Sequence, residues 1–169
     1  MNEQVPGTEL VDRVWSPGKA VLAGLLGALV NSAAIHLSRA LGLDAGTSGL
    51  SKWLAAHLDY WFRLSLPLHL RPAAQEAFHT AVGTFAALLY AAFFYRRLPG
   101  PGWFRGLVFC QVLWAAQSLV VLPWLGKGYF GLGISASAPL WSWCLNAVFG
   151  LVLGALYRPQ ERRSRTAEK

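Results

Sequence analysis

The side chains with the most chemical range in this sequence are its histidines, and two of them sit inside apolar runs. His36 lies in "LVNSAAIHLSRAL" and His79 in "AAQEAFHTAVG". Such a histidine can hold a local hydrogen bond, change charge near pH 6.5, or ligate a metal or haem iron. His36 precedes the end of its run at Gly42 by about as much as His79 follows the start of its own near Ala73. At 1.5 Å rise per residue, each lies roughly 9 Å below the same boundary if both runs are helices. Antiparallel neighbours therefore bring them together, and His57 and His69 fall in the stretch that connects them. Each is expected to make a local hydrogen bond. The alternatives are titration in an acidic outer compartment, or haem b or metal ligation by the pair His36 and His79, with Gly83 and Ala28 small enough to leave room beside a ring.

Catalytic chemistry has little to build on. The acidic residues in or near the apolar runs are Asp44, Asp59 and Glu76. Glu76, three residues before His79, is placed either as an acid–base partner or as a first-turn carboxylate facing a helix dipole. The chain carries no Ser/His/Asp set, phosphate loop or HExxH motif, so no catalytic residue is assigned and no enzyme activity is expected. Cys110 and Cys144 have neither CxxC spacing nor a second ligand nearby, which makes them apolar-like fillers, and no metal set is assigned.

The remaining polar residues are amides and hydroxyls. Gln111, Trp114, Gln117 and Ser118 share one face of a run, and an unsatisfied amide in hydrocarbon costs several kcal/mol, by order of magnitude. Asn31, Ser32 and Asn146 are their expected partners across a polar bundle interior. The sharper reading of Gln111, Gln117 and Asn146 is a polar permeation path. Small residues recur every fourth position, as in Gly24, Ala28 and Ser32, in Gly83 and Ala87, and in Gly150 and Gly154. Each row is one helix face that lets backbones approach, within the bundle or between copies.

These residues need elements that cross a bilayer. The chain has 169 residues, 54% hydrophobic and 14% charged, and a mean hydropathy of +0.38. The fold class expected is all-α and integral to the membrane. Apolar segments at about 19–41, 75–95, 103–125 and 136–157 approach the roughly 20 residues a spanning helix needs. Pro17, Pro72 and Pro99-Gly100-Pro101-Gly102 punctuate them. Between the first and second, residues 48–65 repeat Leu50, Trp53, Leu54, His57, Leu58, Trp61 and Leu64 at helical spacing, predicting an amphipathic interfacial helix on the outer face. A re-entrant hairpin ending at Pro67 is the competing form.

Charge orients the bundle. Arg13, Lys19, Arg96, Arg97, Arg105, Arg158, Arg162, Arg163, Arg165 and Lys169 flank one side, against Arg39, Lys52, Arg63, Arg71 and Lys127 on the other. By the positive-inside rule, the N-terminal tail (1–18) and the basic C-terminal tail (158–169) are cytoplasmic, with the latter able to lie on anionic lipid. The first segment is too long and too polar at Asn31 for a cleaved signal. Although the net charge is +7, it clusters between apolar runs, so no nucleic-acid partner is expected.

In "RGLVFCQVLWAAQSLVVLPWLGKG" and "NAVFGLVLGALYR", Gly106 opens the third segment, Trp114 lies within it and Pro123 and Gly126 close it. Phe149, Gly150, Gly154 and Tyr157 end the fourth. In this C-terminal half the chain resembles YagU-like small bacterial inner-membrane proteins, in which a histidine is expected where this chain has Asn146. The resemblance implies a multi-pass protein of the inner (plasma) membrane with no assigned activity. The expectation is a non-enzymatic membrane component, either a self-associating homo-oligomer or an accessory subunit of a larger complex. The alternatives are a small channel or transporter and a haem- or metal-binding redox subunit.

Overall fold

The computed structural model describes residues 11–43 and 71–163, so the expected interfacial helix at 48–65, with His57, and likewise His69, lie outside the described residues. Four helices dominate: α1 (Pro17–Ala40), α2 (Arg71–Leu89), α3 (Gly102–Ala116) and α4 (Ala138–Leu156). A π-helical turn at Tyr90–Phe94 prolongs α2; a second at Gln117–Val121 and a last turn at Leu122–Trp124 prolong α3. With these extensions, all four are long and apolar enough to cross a membrane.

Local chemistry sets the ends. Pro17 opens α1 at a position whose N–H would find no intrahelical acceptor. Beyond its last turn, Gly42 adopts φ +75°, the left-handed conformation that lets Gly42 N–H reach Arg39 O at 3.0 Å and Leu43 N–H reach Ser38 O at 2.9 Å. That pair of bonds closes the helix. The second helix starts at Arg71, a turn earlier than the 75 expected, because Pro72 is tolerated in a first turn. Glu76 therefore lies beyond the first turn and is not the first-turn carboxylate expected from sequence. In the third span, Pro123 lacks an N–H and its ring crowds the preceding turn, and the widened turn at Gln117–Val121 lies directly ahead of it.

The bundle turns its bulk outward. Leu22, Leu29, Leu37, Phe85, Val120 and Leu140 are exposed, whereas Ala20, Ala23, Gly24, Gly27 and Ala28 of α1 are buried. Small residues inside and large apolar ones outside is the arrangement expected where lipid solvates the periphery and close backbone approach drives association.

Helix α1 packs against α2 and α4, and α3 packs against α4. On the α1–α2 seam, a Cβ placed on Gly24 would lie 2.8 Å from Ala87 Cβ, and one on Gly83 would lie 3.3 Å from Ala28 Cβ. The α3–α4 seam is closer still. A Cβ on Gly106 would strike the carbonyl oxygen of Gly150, and one on Gly154 that of Gly102. Two antiparallel small-xxx-small pairs thus face one another, Gly102 and Gly106 against Gly154 and Gly150. By contrast, α2 meets α3 mainly through the Tyr90–Phe94 turn.

There the end of the bundle beside the chain's β ribbon is sealed by aromatic rings. Tyr90, fully buried, packs 5.3 Å from Phe109 and 5.9 Å from Tyr157 by ring centroid, and its hydroxyl donates to Gly102 O at 3.3 Å. Arg105 lies over the Tyr95 ring at 5.0 Å and donates to the Tyr95 carbonyl. Outside the bundle, β1 (Val11–Val14) pairs antiparallel with β2 (Gln160–Arg163) in the register Val11↔Arg163 and Val14↔Gln160. The N-terminal and C-terminal tail segments are therefore joined in part.

Candidate functional site

Because α2 meets α3 mainly at the Tyr90–Phe94 turn and not along the residues before it, the bundle leaves a cleft of about 190 Å³ toward the end away from the β ribbon. All four helices line it. Asn31, Ile35 and Arg39 come from α1; Gln75, Glu76, His79, Val82 and Ala86 from α2; Cys110 and Leu113 from α3, with Gln117 just beyond it; Leu145, Asn146 and Phe149 from α4. Polarity is graded with depth. Arg39, Gln75, Glu76 and Gln117 lie toward the mouth, Asn31, His79 and Asn146 midway, and Ala86, Cys110 and Phe149 at the floor. The Phe149 ring wedges between two glycines, with Cε2 3.0 Å from a Cβ built on Gly27 and 3.4 Å from one on Gly83. The room that Gly83 leaves is thus filled by a phenyl ring.

Glu76 is the hub of the wall. Its carboxylate accepts a hydrogen bond from Ser32 Oγ at 2.8 Å and pairs with His36 Nε2 at 3.2 Å. Ser32 and His36, four apart on α1, present both donors on one face. The pair is half open, with the His36 and Glu76 side chains 62% and 44% exposed. In geometry of this exposure, an ion pair contributes little to stability, of order 1 kcal/mol or less.

His79 has a different partner. Its Nε2 lies 3.4 Å from Asn31 Nδ2. The expectation that Asn31 bonds to the third or fourth span is corrected, since the steep α1–α2 approach at Gly24 and Gly83 brings the amide to α2 first. Asn31 is only 7% exposed, and its Oδ1 has no hydrogen-bond partner. Which amide atom faces His79 depends on the ring tautomer. With Nδ2 donating, the His79 proton sits on Nδ1; with the amide turned over, Oδ1 accepts from Nε2–H and Nδ2 is left over. As the amide stands, its Oδ1 is a buried polar atom without a partner.

The histidines thus engage separate partners, with Glu76 on His36 and Asn31 on His79. His36 does not line the cleft, and 190 Å³ falls below the roughly 300–1,000 Å³ of sites for drug-sized ligands. His36 and His79 are thus not brought together on the cleft. Among the described residues, no group of three or more His, Cys, Asp or Glu side chains is placed to hold a metal ion.

The expected amide network across the bundle forms only in part. Gln117 and Asn146 both reach the cleft, but Asn146 Nδ2 donates to Ser142 O of its own helix at 2.9 Å. Gln111 lies outside the cleft lining, with both side-chain polar atoms buried and unpartnered. The cross-helix bond on that face is instead Trp114 Nε1–H to Ser142 Oγ at 3.0 Å, while Ser142 donates to Pro139 O. Gly150 and Gly154 lie in the α3–α4 seam, and Gly24 and Ala28 in the α1–α2 seam.

No known family, curated protein or solved structure matches this chain. The YagU-like resemblance therefore rests on the quoted residues alone. Sequence reasoning missed Glu76 as the hub, Arg39 as a mouth residue and Phe149 as the floor. A signal existed for the first: Ser32 and His36 are the polar members of an otherwise small-residue row, and Glu76 is the acidic residue closest to them in expected depth.

Proposed function

We propose that this is a small multi-pass membrane protein that binds a small molecule non-covalently in the cleft between α2 and α3, as a non-enzymatic component. The observation that carries the reading is the convergence of polar side chains from all four helices on a cleft with an apolar, ring-sealed floor. In a spanning bundle, polar side chains facing a cavity mark a binding site or pathway more readily than a packing surface. The sealed end favours a binding pocket over an open pore. On this reading the mouth faces the outer compartment and both chain ends face the cytoplasm of a bacterial inner membrane, as the flanking arginines and lysines suggest.

The test is titration of the purified protein, in phosphatidylcholine nanodiscs, with 2-phenylethanol, whose ring and hydroxyl match the graded lining. Wild type is expected to show a saturable rise in Tm, as ligand binding to the native state requires. Val82→Trp, which fills the cleft from its half-exposed wall, is expected to lose it. An equal response in both proteins would remove the reading.

A further inference from the structure

Glu76 and Arg39 at the cleft already have partners within the protein, while the buried amide of Asn31 keeps an atom without one, and that difference selects a ligand class. Glu76 has both oxygens engaged, one by Ser32 and one by His36. Arg39 has an interaction of its own within the protein. A ligand charge brought to this depth would have to compete with these contacts for a counter-charge, and a buried charge without one is costly by several kcal/mol in order of magnitude.

The amides differ. Asn31 keeps its Oδ1 unpaired and is more than nine-tenths buried. Asn146 uses its Nδ2 on its own helix, which leaves its carbonyl oxygen as an acceptor at the same depth. Gln117 lines the cleft with no side-chain hydrogen bond among the described residues. Together they offer both donors and acceptors above a floor made by Ala86, Cys110 and Phe149.

Resting on the binding function proposed above, we infer that the ligand is an uncharged amphipathic molecule, an alcohol or a carboxamide with a compact apolar body, whose polar head pairs with Asn31. The apolar part sits on the Phe149 ring and the head lies level with Asn31 and Asn146. Asn31 is then the residue that sets specificity for the head, and Glu76 and His36 hold the wall without touching the ligand.

Four probes with a common phenyl ring test this in the same nanodiscs by calorimetry, with empty discs subtracted: 2-phenylethanol, phenethylammonium, phenylacetate and ethylbenzene. Wild type is expected to bind the alcohol on the order of tenfold tighter than either ion, and tighter than ethylbenzene. Asn31→Leu is expected to bring the alcohol down to the level of ethylbenzene and leave ethylbenzene unchanged. If either ion binds as tightly as the alcohol, the inference is overturned while the binding function stands. If no probe distinguishes wild type from Val82→Trp, the binding function itself falls, and this inference with it. Should Asn31→Leu fail to fold, the wild-type probe series decides the question alone.

Discussion

At the scale of single residues, the cleft wall is a set of short polar contacts whose members are unequal. Ser32 donates to a carboxylate that is half open to its surroundings, and hydrogen bonds between membrane helices are worth about 1 kcal/mol or less. Glu76→Gln retains an oxygen for Ser32 and is expected to change thermal stability little. Glu76→Leu strips the partner from both Ser32 and His36 and is expected to cost about 1 kcal/mol more, measured as reversible unfolding in mixed micelles. A drop in stability for Glu76→Gln as large as that for Glu76→Leu would mean that charge, and not hydrogen bonding, holds this wall. Sequence reasoning identified Asn31, Ser32, His36 and His79 as polar residues at related depths. It did not pair them correctly, because a helical row says which residues share a face and not the angle at which another helix crosses it. Half a turn of rotation decides whether His79 meets His36 or Asn31.

At the scale of elements, the two glycine seams differ in kind. On the α1–α2 seam, Ala28 and Ala87 interleave with Gly83 and Gly24, so a methyl group fits beside each glycine. On the α3–α4 seam, backbone lies against backbone, and any side chain at Gly106 or Gly154 meets a carbonyl. Gly154→Leu is therefore expected to separate α3 from α4 and abolish the monodisperse folded peak in size-exclusion chromatography. Gly18→Leu, at a position with open space around it, is expected to elute as wild type. Equal behaviour of the two variants would mean that the seam yields more easily than its contacts indicate. The four spans were legible in the sequence because apolar length is a coarse signal, and their ends shifted by only a few residues. The widened turns at Tyr90–Phe94 and Gln117–Val121 were not, since a π turn is chosen by tertiary packing and leaves no composition signature beyond Pro123.

At the scale of the whole molecule, the β ribbon joins Val11–Val14 to Gln160–Arg163 at the end of the bundle away from the cleft. Asp12 and Arg162 are opposed in its register, so the paired cysteines of Asp12→Cys with Arg162→Cys lie within the range that a disulfide spans. The double variant is expected to form an intramolecular disulfide under mild oxidation, seen as faster migration on a non-reducing gel. A pairing of Asp12→Cys with Lys127→Cys, at the far end of the bundle, is expected to form none. If only intermolecular dimers appear with Arg162→Cys, the ribbon is formed between copies. The order of helix contacts also bears on how the chain is made. Synthesis delivers α1 and α2 first, and they have each other. The third helix emerges next with its main partner not yet made, so until α4 follows, Gln111, Gln117 and the bare backbone at Gly106 have no helix to pack against. Biogenesis is thus most vulnerable in the interval between the third and fourth helices, and a chain stalled before Ala138 would be the form that a quality-control protease meets.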